Sequence, residues 1–290
     1  MKKQLSIIIP VYNEEKAIDQ TIEGLKKELE KISDLEYEII AVNDASTDKS
    51  REILEKIEGI QIINHPHNRG YGAAIKTGFS QSRANFILIT DADGTYPNES
   101  ISELIKYIPE YDMVVGARTG KGAKIPLIRK PAKWILNKLA NYLTGVKIPD
   151  LNSGLRIMNK LLVEKFLYIL PDGFSFTSTI TLAGLTNGYR IKYIPITYSK
   201  RTGKSKFKPI KDTSNFFQLI VRTILYFNPL KVFIPLSLLL ILMGALVLVY
   251  SYIFTSKILD TTVAIIIMSA IQTLAIGMLA DLITKIHKRN

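Results

Sequence analysis

Apolar and polar positions follow two different periods along this chain. Residues 5–11, 37–43, 60–63, 86–90 and 113–117 are short, nearly continuous apolar runs. Such runs predict strands of a parallel sheet covered on both faces. Between them the period lengthens. Ile18, Ile22, Leu25, Leu29 and Ile32 mark an amphipathic helix over residues 17–32. Asp44-Ala45-Ser46-Thr47-Asp48 turns into a helix through about Ile57, with an acid near its start, as helix N-termini favour. Asn68-Arg69-Gly70-Tyr71-Gly72 opens another, to about Ser82. Repeated strand–helix units of this length predict an α/β domain with a mostly parallel, doubly wound sheet.

Past Ala117 the pattern is less regular. Residues 118–133 are basic and glycine-bearing and read as a loop leading into a helix that ends near Leu143. Residues 148–154 read as a second loop, 176–185 as a helix, 190–197 as a strand and 200–206 as a third, basic loop. Residues 212–228 carry Phe216, Phe217, Leu219, Ile220, Ile224, Leu225 and Phe227, with Lys208, Lys211 and Arg222 around them. That loading suits a helix lying in a membrane interface, and equally an amphipathic helix facing a core.

Two uncharged stretches follow. Residues 232–254 contain no charged side chain, and residues 261–283 only Asp281 near the end, with Gln272 inside. Each is long enough to cross roughly 30 Å of hydrocarbon as a helix. The short link makes them a hairpin, so both ends share one side of the membrane. Lys231 precedes the first span and Lys285, Lys288 and Arg289 follow the second, whereas the link offers Lys257 offset by Asp260. The positive-inside rule then puts the N-terminal domain and the tail in the cytoplasm. The expected organisation is an α/β domain over 1–209, a juxtamembrane helix over 210–229 and a hairpin over 230–290, the hairpin being also a surface for homo-oligomer contacts. Met1 to Gln4 lead straight into a strand, so no signal peptide is expected.

Composition narrows the chemistry. The chain has no cysteine, which excludes disulfides and thiolate metal sites. Its net charge of +12 is uneven: residues 1–114 carry 13 Lys/Arg against 20 Asp/Glu, and residues 115–211 carry 19 against 3. A basic middle can attract nucleic acid, anionic lipid or a phosphorylated substrate. The hairpin that follows argues against nucleic acid.

The polar residues after the strands converge on one sheet edge, where open α/β sheets bind ligands. Pro10, Tyr12, Asn13 and Glu14 follow the first strand, Asp44 and Asp48 the second, Asn68-Arg69-Gly70 the third, and Asp91-Ala92-Asp93 the fourth. Two carboxylates one residue apart suit a hard divalent cation that in turn holds phosphate oxygens. No G-x-G-x-x-G follows the first strand and no G-x-x-x-x-G-K-[ST] occurs, which disfavours a dinucleotide fold and a P-loop. The three histidines, His65, His67 and His287, read as solvated or packing residues.

The order Pro-Val-Tyr-Asn-Glu, Val-Asn-Asp-Ala-Ser-Thr-Asp, His-Asn-Arg-Gly-Tyr-Gly-Ala-Ala, Asp-Ala-Asp resembles the GT-A fold of glycosyltransferase family 2. The loops Asp150-Leu151-Asn152-Ser153-Gly154-Leu155-Arg156 and Arg201-Thr202-Gly203-Lys204-Ser205-Lys206, with the hairpin, are similar to its polyprenyl-phosphate branch, the dolichyl-phosphate mannose synthases and undecaprenyl-phosphate glucosyltransferases. The resemblance implies inverting transfer of a hexose from a nucleotide sugar, of the GDP-mannose or UDP-glucose type, to a membrane polyprenyl phosphate. It implies that Pro10, Tyr12, Asn13 and Glu14 line the base pocket, with Asn68 nearby, and that Asp44 meets base or ribose. Asp91 and Asp93 would hold Mg²⁺ or Mn²⁺, with Thr95 standing where the mannose synthases carry a glutamine ligand. Arg201 and Lys204 would close over the diphosphate, Arg118 and Arg129 would hold the acceptor phosphate, and Lys133 and Ser153 would support them. A processive polysaccharide synthase shares the core but carries a Gln-x-x-Arg-Trp motif; Trp134, the single Trp, lies in no such motif. A non-catalytic lipid-binding scaffold would not need the paired acids.

Overall fold

A computed structural model describes residues 3–120, 138–142, 144–173, 175–199, 221, 224–254 and 260–287. The chain falls into two compact units, Met1–Leu219 and Ile220–Asn290.

The first unit is built on β1 (Lys3–Val11), β2 (Leu35–Asn43), β3 (Gln61–Asn64), β4 (Phe86–Ile89), β5 (Met113–Ala117), β6 (Arg156–Asn159) and β7 (Ile191–Pro195). They form one sheet in the order β3-β2-β1-β4-β6-β5-β7. Its helices are α1 (Ile18–Glu30), α2 (Ser50–Leu54), α3 (Tyr71–Gln81), α4 (Glu99–Ile105), α5 (Lys160–Phe166) and α6 (Phe176–Thr186). Side chains on β1 alternate between two cores. Leu5, Ile7 and Ile9 join α1's Ile18, Ile22, Leu25 and Leu29 in one buried cluster. Ile8 faces α3, which comes so close that a Cβ on Gly78 would lie 2.5 Å from Ile8 Cγ2. Every one of these β1 side chains is fully buried, and each aliphatic group so buried contributes about 1.5–3 kcal/mol before entropy is counted.

The expected strands are present, with β3 beginning one residue later than its apolar run. α2 is shorter than expected, and α4 and α5 are additions. The largest departure is β6, which lies in a stretch read as loop and its continuation. It runs antiparallel to both neighbours, with Ile89 of β4 opposite Arg156 and Val115 of β5 opposite the same residue. An antiparallel strand among parallel ones brings its own N-terminal end to the edge where the others end. Residues 150–155 are therefore delivered beside the turn that follows β4.

Arg156 anchors that strand. It is fully buried. Its guanidinium donates to the Ser153 carbonyl, the Thr177 carbonyl at 2.8 Å and Thr181 Oγ1 at 2.8 Å, tying β6 to α6. Burial depresses its pKa, although the Tyr71, Tyr193 and Tyr96 hydroxyls and Asp150 act in the opposite direction.

The second unit is the helices α7 (Leu230–Phe254) and α8 (Asp260–His287), both long and apolar enough to cross a membrane. Only 11% and 17% of their most apolar windows are buried, unlike the core helices of a soluble protein. They pack through small residues. Ser237 Oγ donates to the Ala270 carbonyl at 2.9 Å. Gly244 lies against Ile266 and Ile267, and a Cβ on Gly277 would collide with Phe233. Most of the expected interfacial helix at 212–228 lies outside the described residues, as do the basic stretches 121–137 and 200–206.

Replacing Arg156 by Met keeps the volume and removes the donors, stranding the Ser153 carbonyl. Hydrogen bonds from a charged donor contribute about 1.5–3 kcal/mol each. The variant should lose about 3 kcal/mol of unfolding free energy, read as a lowered urea midpoint of the detergent-solubilised protein.

Candidate active site

The loops after β1 and β2 are built against each other. Asn13 and Ala45 both adopt left-handed backbone, with φ of 58° and 57°, a conformation that asparagine tolerates better than most residues. Asn13 Oδ1 accepts from the Thr47 amide at 2.7 Å, and the Asn13 amide donates to Ser46 Oγ. The Glu14 amide donates to Ser50 Oγ at 2.8 Å, and the Glu15 amide to Asp48 Oδ2. Burial works against ionised Asp48, but hydrogen bonds from Ser50 and the Glu15 amide outweigh it and hold the carboxyl below its ordinary range. Pro10, the second-last residue of β1, and Tyr12, Asn13 and Glu14 of the loop after it are all half-buried at the carboxyl end of the strand.

Asp44 is the hub of the next loop. It is 3% exposed. Its carboxylate accepts from the Arg69 amide and the Gly70 amide, both at 2.8 Å, and meets His65 Nδ1 at 2.7 Å. His65 Nε2 reaches Thr77 Oγ1 of α3 at 2.9 Å, and Asn68 Nδ2 donates to the Asp44 carbonyl. His65 is therefore a buried packing residue with both ring nitrogens engaged. Gly70 and Gly72 leave room for the backbone of 171–173, since a Cβ on Gly72 would collide with the Pro171 carbonyl.

Asp91 and Asp93 lie on the turn after β4. Tyr71 OH donates to Asp91 Oδ1 at 2.9 Å. Desolvation and the charge of Asp91 push the Tyr71 hydroxyl well above the ordinary phenol range, so it stays a donor at neutral pH. On its other side Asp91 meets Gly154, where a Cβ would lie 2.8 Å from both carboxylate oxygens. The Gly154 amide donates to Tyr96 OH at 2.7 Å. Asp93 is buried, and its Oδ1 accepts from both the Thr95 amide at 3.1 Å and the Thr95 hydroxyl at 2.6 Å. Thr95 thereby orients Asp93. A cavity of about 220 Å³ opens beside Asp93 and Tyr96, bordered by Lys16, Gln20 and Asn98.

This donor set fits a hard divalent cation that fills most of its shell with water and phosphate oxygens. Among the described residues no cluster of three His, Cys, Asp or Glu forms a closed cage. Mg²⁺ in particular is held by one or two carboxylates plus substrate phosphates in such sites.

The basic residues divide. Arg118 pairs in bidentate fashion with Asp150, Nε to Oδ2 at 2.7 Å and Nη2 to Oδ1 at 2.9 Å, and its guanidinium carbon stands 5.3 Å from the centre of the Tyr198 ring. Tyr198 meets Tyr96 edge-on at 5.3 Å. Ser153 is fully buried and its hydroxyl donates to the Gly116 carbonyl, so it ties the 150–155 loop to β5. Arg129, Lys133, Arg201 and Lys204 lie outside the described residues, but the roots of their loops do not. The Ser199 amide donates to the Thr95 carbonyl at 3.0 Å, and the Gly120 amide to the Ile196 carbonyl at 3.1 Å. Both basic loops leave from the edge that carries Asp93. Tyr71, Tyr96, Asp150 and Arg156 escaped the sequence reading as site residues. Asp150 and Arg156 are the two ends of the motif Asp-Leu-Asn-Ser-Gly-Leu-Arg, and only the fold gives them partners.

Residues 6–167 match the model of Glycosyl transferase family 2. The chain belongs to this family. It is a glycosyltransferase, and residues 228–286 match the GtrB C-terminal hairpin. It is 30% identical over 305 residues to the undecaprenyl-phosphate 4-deoxy-4-formamido-L-arabinose transferase of Photorhabdus laumondii, covering 98% of this chain and 90% of that one. It is 28% identical to the dolichyl-phosphate hexose transferase of Haloferax volcanii, covering 76% and 94%. In fold this family 2 enzyme is similar to glucosyl-3-phosphoglycerate synthase from Mycobacterium tuberculosis, solved with Mn²⁺, uridine diphosphate and phosphoglyceric acid. That match has a TM-score of 0.59 at 14% identity over 77% of this chain and 78% of that one.

Gly154→Ala should push a methyl group into the Asp91 carboxylate. Neighbours that orient metal ligands typically change affinity 10–100-fold when altered. We expect Mn²⁺ binding, titrated by electron paramagnetic resonance, to weaken about tenfold or more while far-ultraviolet circular dichroism is unchanged.

Proposed function

We propose that this enzyme transfers a hexose from a nucleotide sugar to the phosphate of a polyprenyl phosphate, with inversion and with help from Mg²⁺ or Mn²⁺. The observation that carries the reading is the acid pair Asp91 and Asp93 at the root of two basic loops, in a chain that ends in an apolar hairpin. The two relatives named for dolichyl-phosphate and undecaprenyl-phosphate substrates support the acceptor class.

The chemistry follows from charge. A phosphate monoester has a second pKa near 6, so the acceptor is mostly a dianion at neutral pH. Its oxygen attacks the anomeric carbon directly, the bond from that carbon to the diphosphate breaks, and no general base is required. One displacement converts an α-linked donor into a β-linked product. A bound divalent cation would supply charge neutralisation for the departing diphosphate. Asp91 and Asp93 would hold it, kept in orientation by Tyr71, Gly154 and Thr95. Arg201 and Lys204 would close over the same diphosphate. Arg118, oriented by Asp150, would turn its remaining donors to the acceptor, with Arg129 beside it, so the cation is preorganised before the phosphate arrives.

The loops at Pro10–Glu14, Asp44 and Asn68 would take the nucleoside, and Lys133 would lie with the acceptor group. The hairpin would keep the enzyme at the bilayer where the isoprenoid is anchored, and the excess of Lys and Arg outside the link supports a cytoplasmic catalytic domain. We assign the catalytic domain to 1–209, the juxtamembrane helix to 210–229 and the hairpin to 230–290.

The reading is tested by giving the purified protein labelled nucleotide sugars, Mg²⁺ or Mn²⁺ and a short polyprenyl phosphate; absence of lipid-linked sugar from every donor refutes it. Asp93→Ala should lower turnover by about a hundredfold or more, with the fold retained. Arg201→Ala should lower kcat more than it raises KM for the donor; the reverse pattern would assign that loop to ground-state recognition.

A further inference from the structure

We infer that Asn152 holds the transferred sugar through one of its hydroxyls, and that Ser178 is the positioning residue that aims it; the inference rests on the transfer reaction proposed above. It begins in the motif Asp150-Leu151-Asn152-Ser153-Gly154-Leu155-Arg156. The other polar side chains of this motif are closed by the fold: Asp150 on Arg118, Ser153 on the Gly116 carbonyl, and Arg156 on Ser153, Thr177 and Thr181. Leu151 and Leu155 are buried. From 150 to 158 every residue is buried except Asn152, which is exposed.

The exposed side chain is held in one orientation. The Ser178 hydroxyl, fully buried on α6, donates to Asn152 Oδ1 at 2.7 Å. The Asn152 amide turns back onto Asp150 Oδ1 at 3.3 Å. With its oxygen engaged, the carboxamide keeps two N–H donors on Nδ2, and these meet no acceptor among the described residues. Ordering an exposed side chain costs rotamer entropy. A buried hydroxyl spent on doing so points to a donor preorganised for a ligand.

The place of those donors names their ligand. Two residues back, Asp150 grips Arg118, which is assigned to the acceptor phosphate; two residues on, Gly154 abuts the Asp91 carboxylate of the cation site. Four residues of chain reach at most about 14 Å. In a single displacement the hexose lies between the departing diphosphate and the incoming phosphate, so it lies along this stretch. Both phosphates are drawn to cations, whereas a neutral carboxamide matches a neutral hydroxyl oxygen. A donor of fixed aim also separates a sugar carrying that hydroxyl from one lacking it, which charge alone does not.

Purified full-length protein is assayed with Mn²⁺, a short polyprenyl phosphate and a panel of UDP- and GDP-hexoses. The donor it uses is then compared with the singly deoxygenated forms of the same donor. A neutral hydrogen bond is worth about a tenfold change in rate, so wild type should use one deoxy sugar about tenfold less well in kcat/KM. Asn152→Ala should erase that preference alone, leaving Mn²⁺ affinity and the KM for polyprenyl phosphate unchanged. Ser178→Ala, a change that a helix favours, frees the carboxamide to turn and should cut the same preference by about threefold. A wild type indifferent to every deoxy sugar, equal losses with all donors in Asn152→Ala, a raised KM for polyprenyl phosphate in place of a lost sugar preference, or a preference unmoved in both variants would each overturn the assignment. No transfer from any donor by wild type would remove the reaction itself, and the assignment with it.

Discussion

Gly154 lies against the Asp91 carboxylate because β6 runs against β4. Had the chain returned in parallel, its N-terminal residues would have emerged at the opposite edge of the sheet. The reversal is held from below by Arg156, whose guanidinium is fully buried and satisfied by carbonyls and a hydroxyl. A buried cation is expensive unless its donors are met. That expense fixes the register: a slip of β6 by one residue would turn Arg156 to the other face of the sheet. The position of an acid in the candidate site thus depends on a cation that touches no ligand.

From there the site extends through polar hydrogens and ring faces. Tyr71 grips Asp91 from α3. Tyr96 takes the Gly154 amide, meets Tyr198 edge-on, and Tyr198 lies under Arg118. Burial raises the pKa of both Tyr71 and Tyr96, so these hydroxyls remain neutral and keep their roles across the physiological range. The acid pair and the Arg118–Asp150 pair are thereby parts of one continuous packing arrangement. The loops after β1, β2 and β3 follow the same design. Their backbone amides are spent on Asp44, Asp48 and on Asn13's side chain, which leaves the loops preorganised rather than waiting for a ligand to order them.

Periodicity made the strands of the parallel half legible, because each is a clean apolar run covered on both faces. It hid β6, because Arg156 interrupts Leu155, Ile157 and Met158 with a charge that reads as loop. Only tertiary partners on α6 make that charge compatible with a core. The paired acids were legible from chemistry and position; their supports were not, since Tyr71, twenty residues before Asp91, carries no local sign of the carboxylate it will meet. Arg118 was legible as a cation at the site, but not as one already held by Asp150. His65 read as a solvated or packing residue, and the close return of 65–70 over Asp44 makes it a packing one. Gly70 and Gly72 read as part of a motif, and the structure gives their reason: the 171–173 backbone passes where side chains would stand.

A single accounting rule governs both units, although their surroundings differ. Buried polar groups need partners, so a group that lacks one points to something else acting on it. In the catalytic unit nearly every such group is closed internally. Among the described residues the buried side-chain atom without a hydrogen bond is the Tyr193 hydroxyl on β7. Burial raises its pKa, while the Arg156 cation opposes that shift and Asp150 adds to it. Its dipole lies in the fields of both charges, and a phenol left neutral tolerates such a position more cheaply than a charge would. In the hairpin the hydroxyls obey the rule within the helix pair: Ser237 donates to the Ala270 carbonyl, Ser269 to the Ile265 carbonyl and Thr273 to the Ser269 carbonyl.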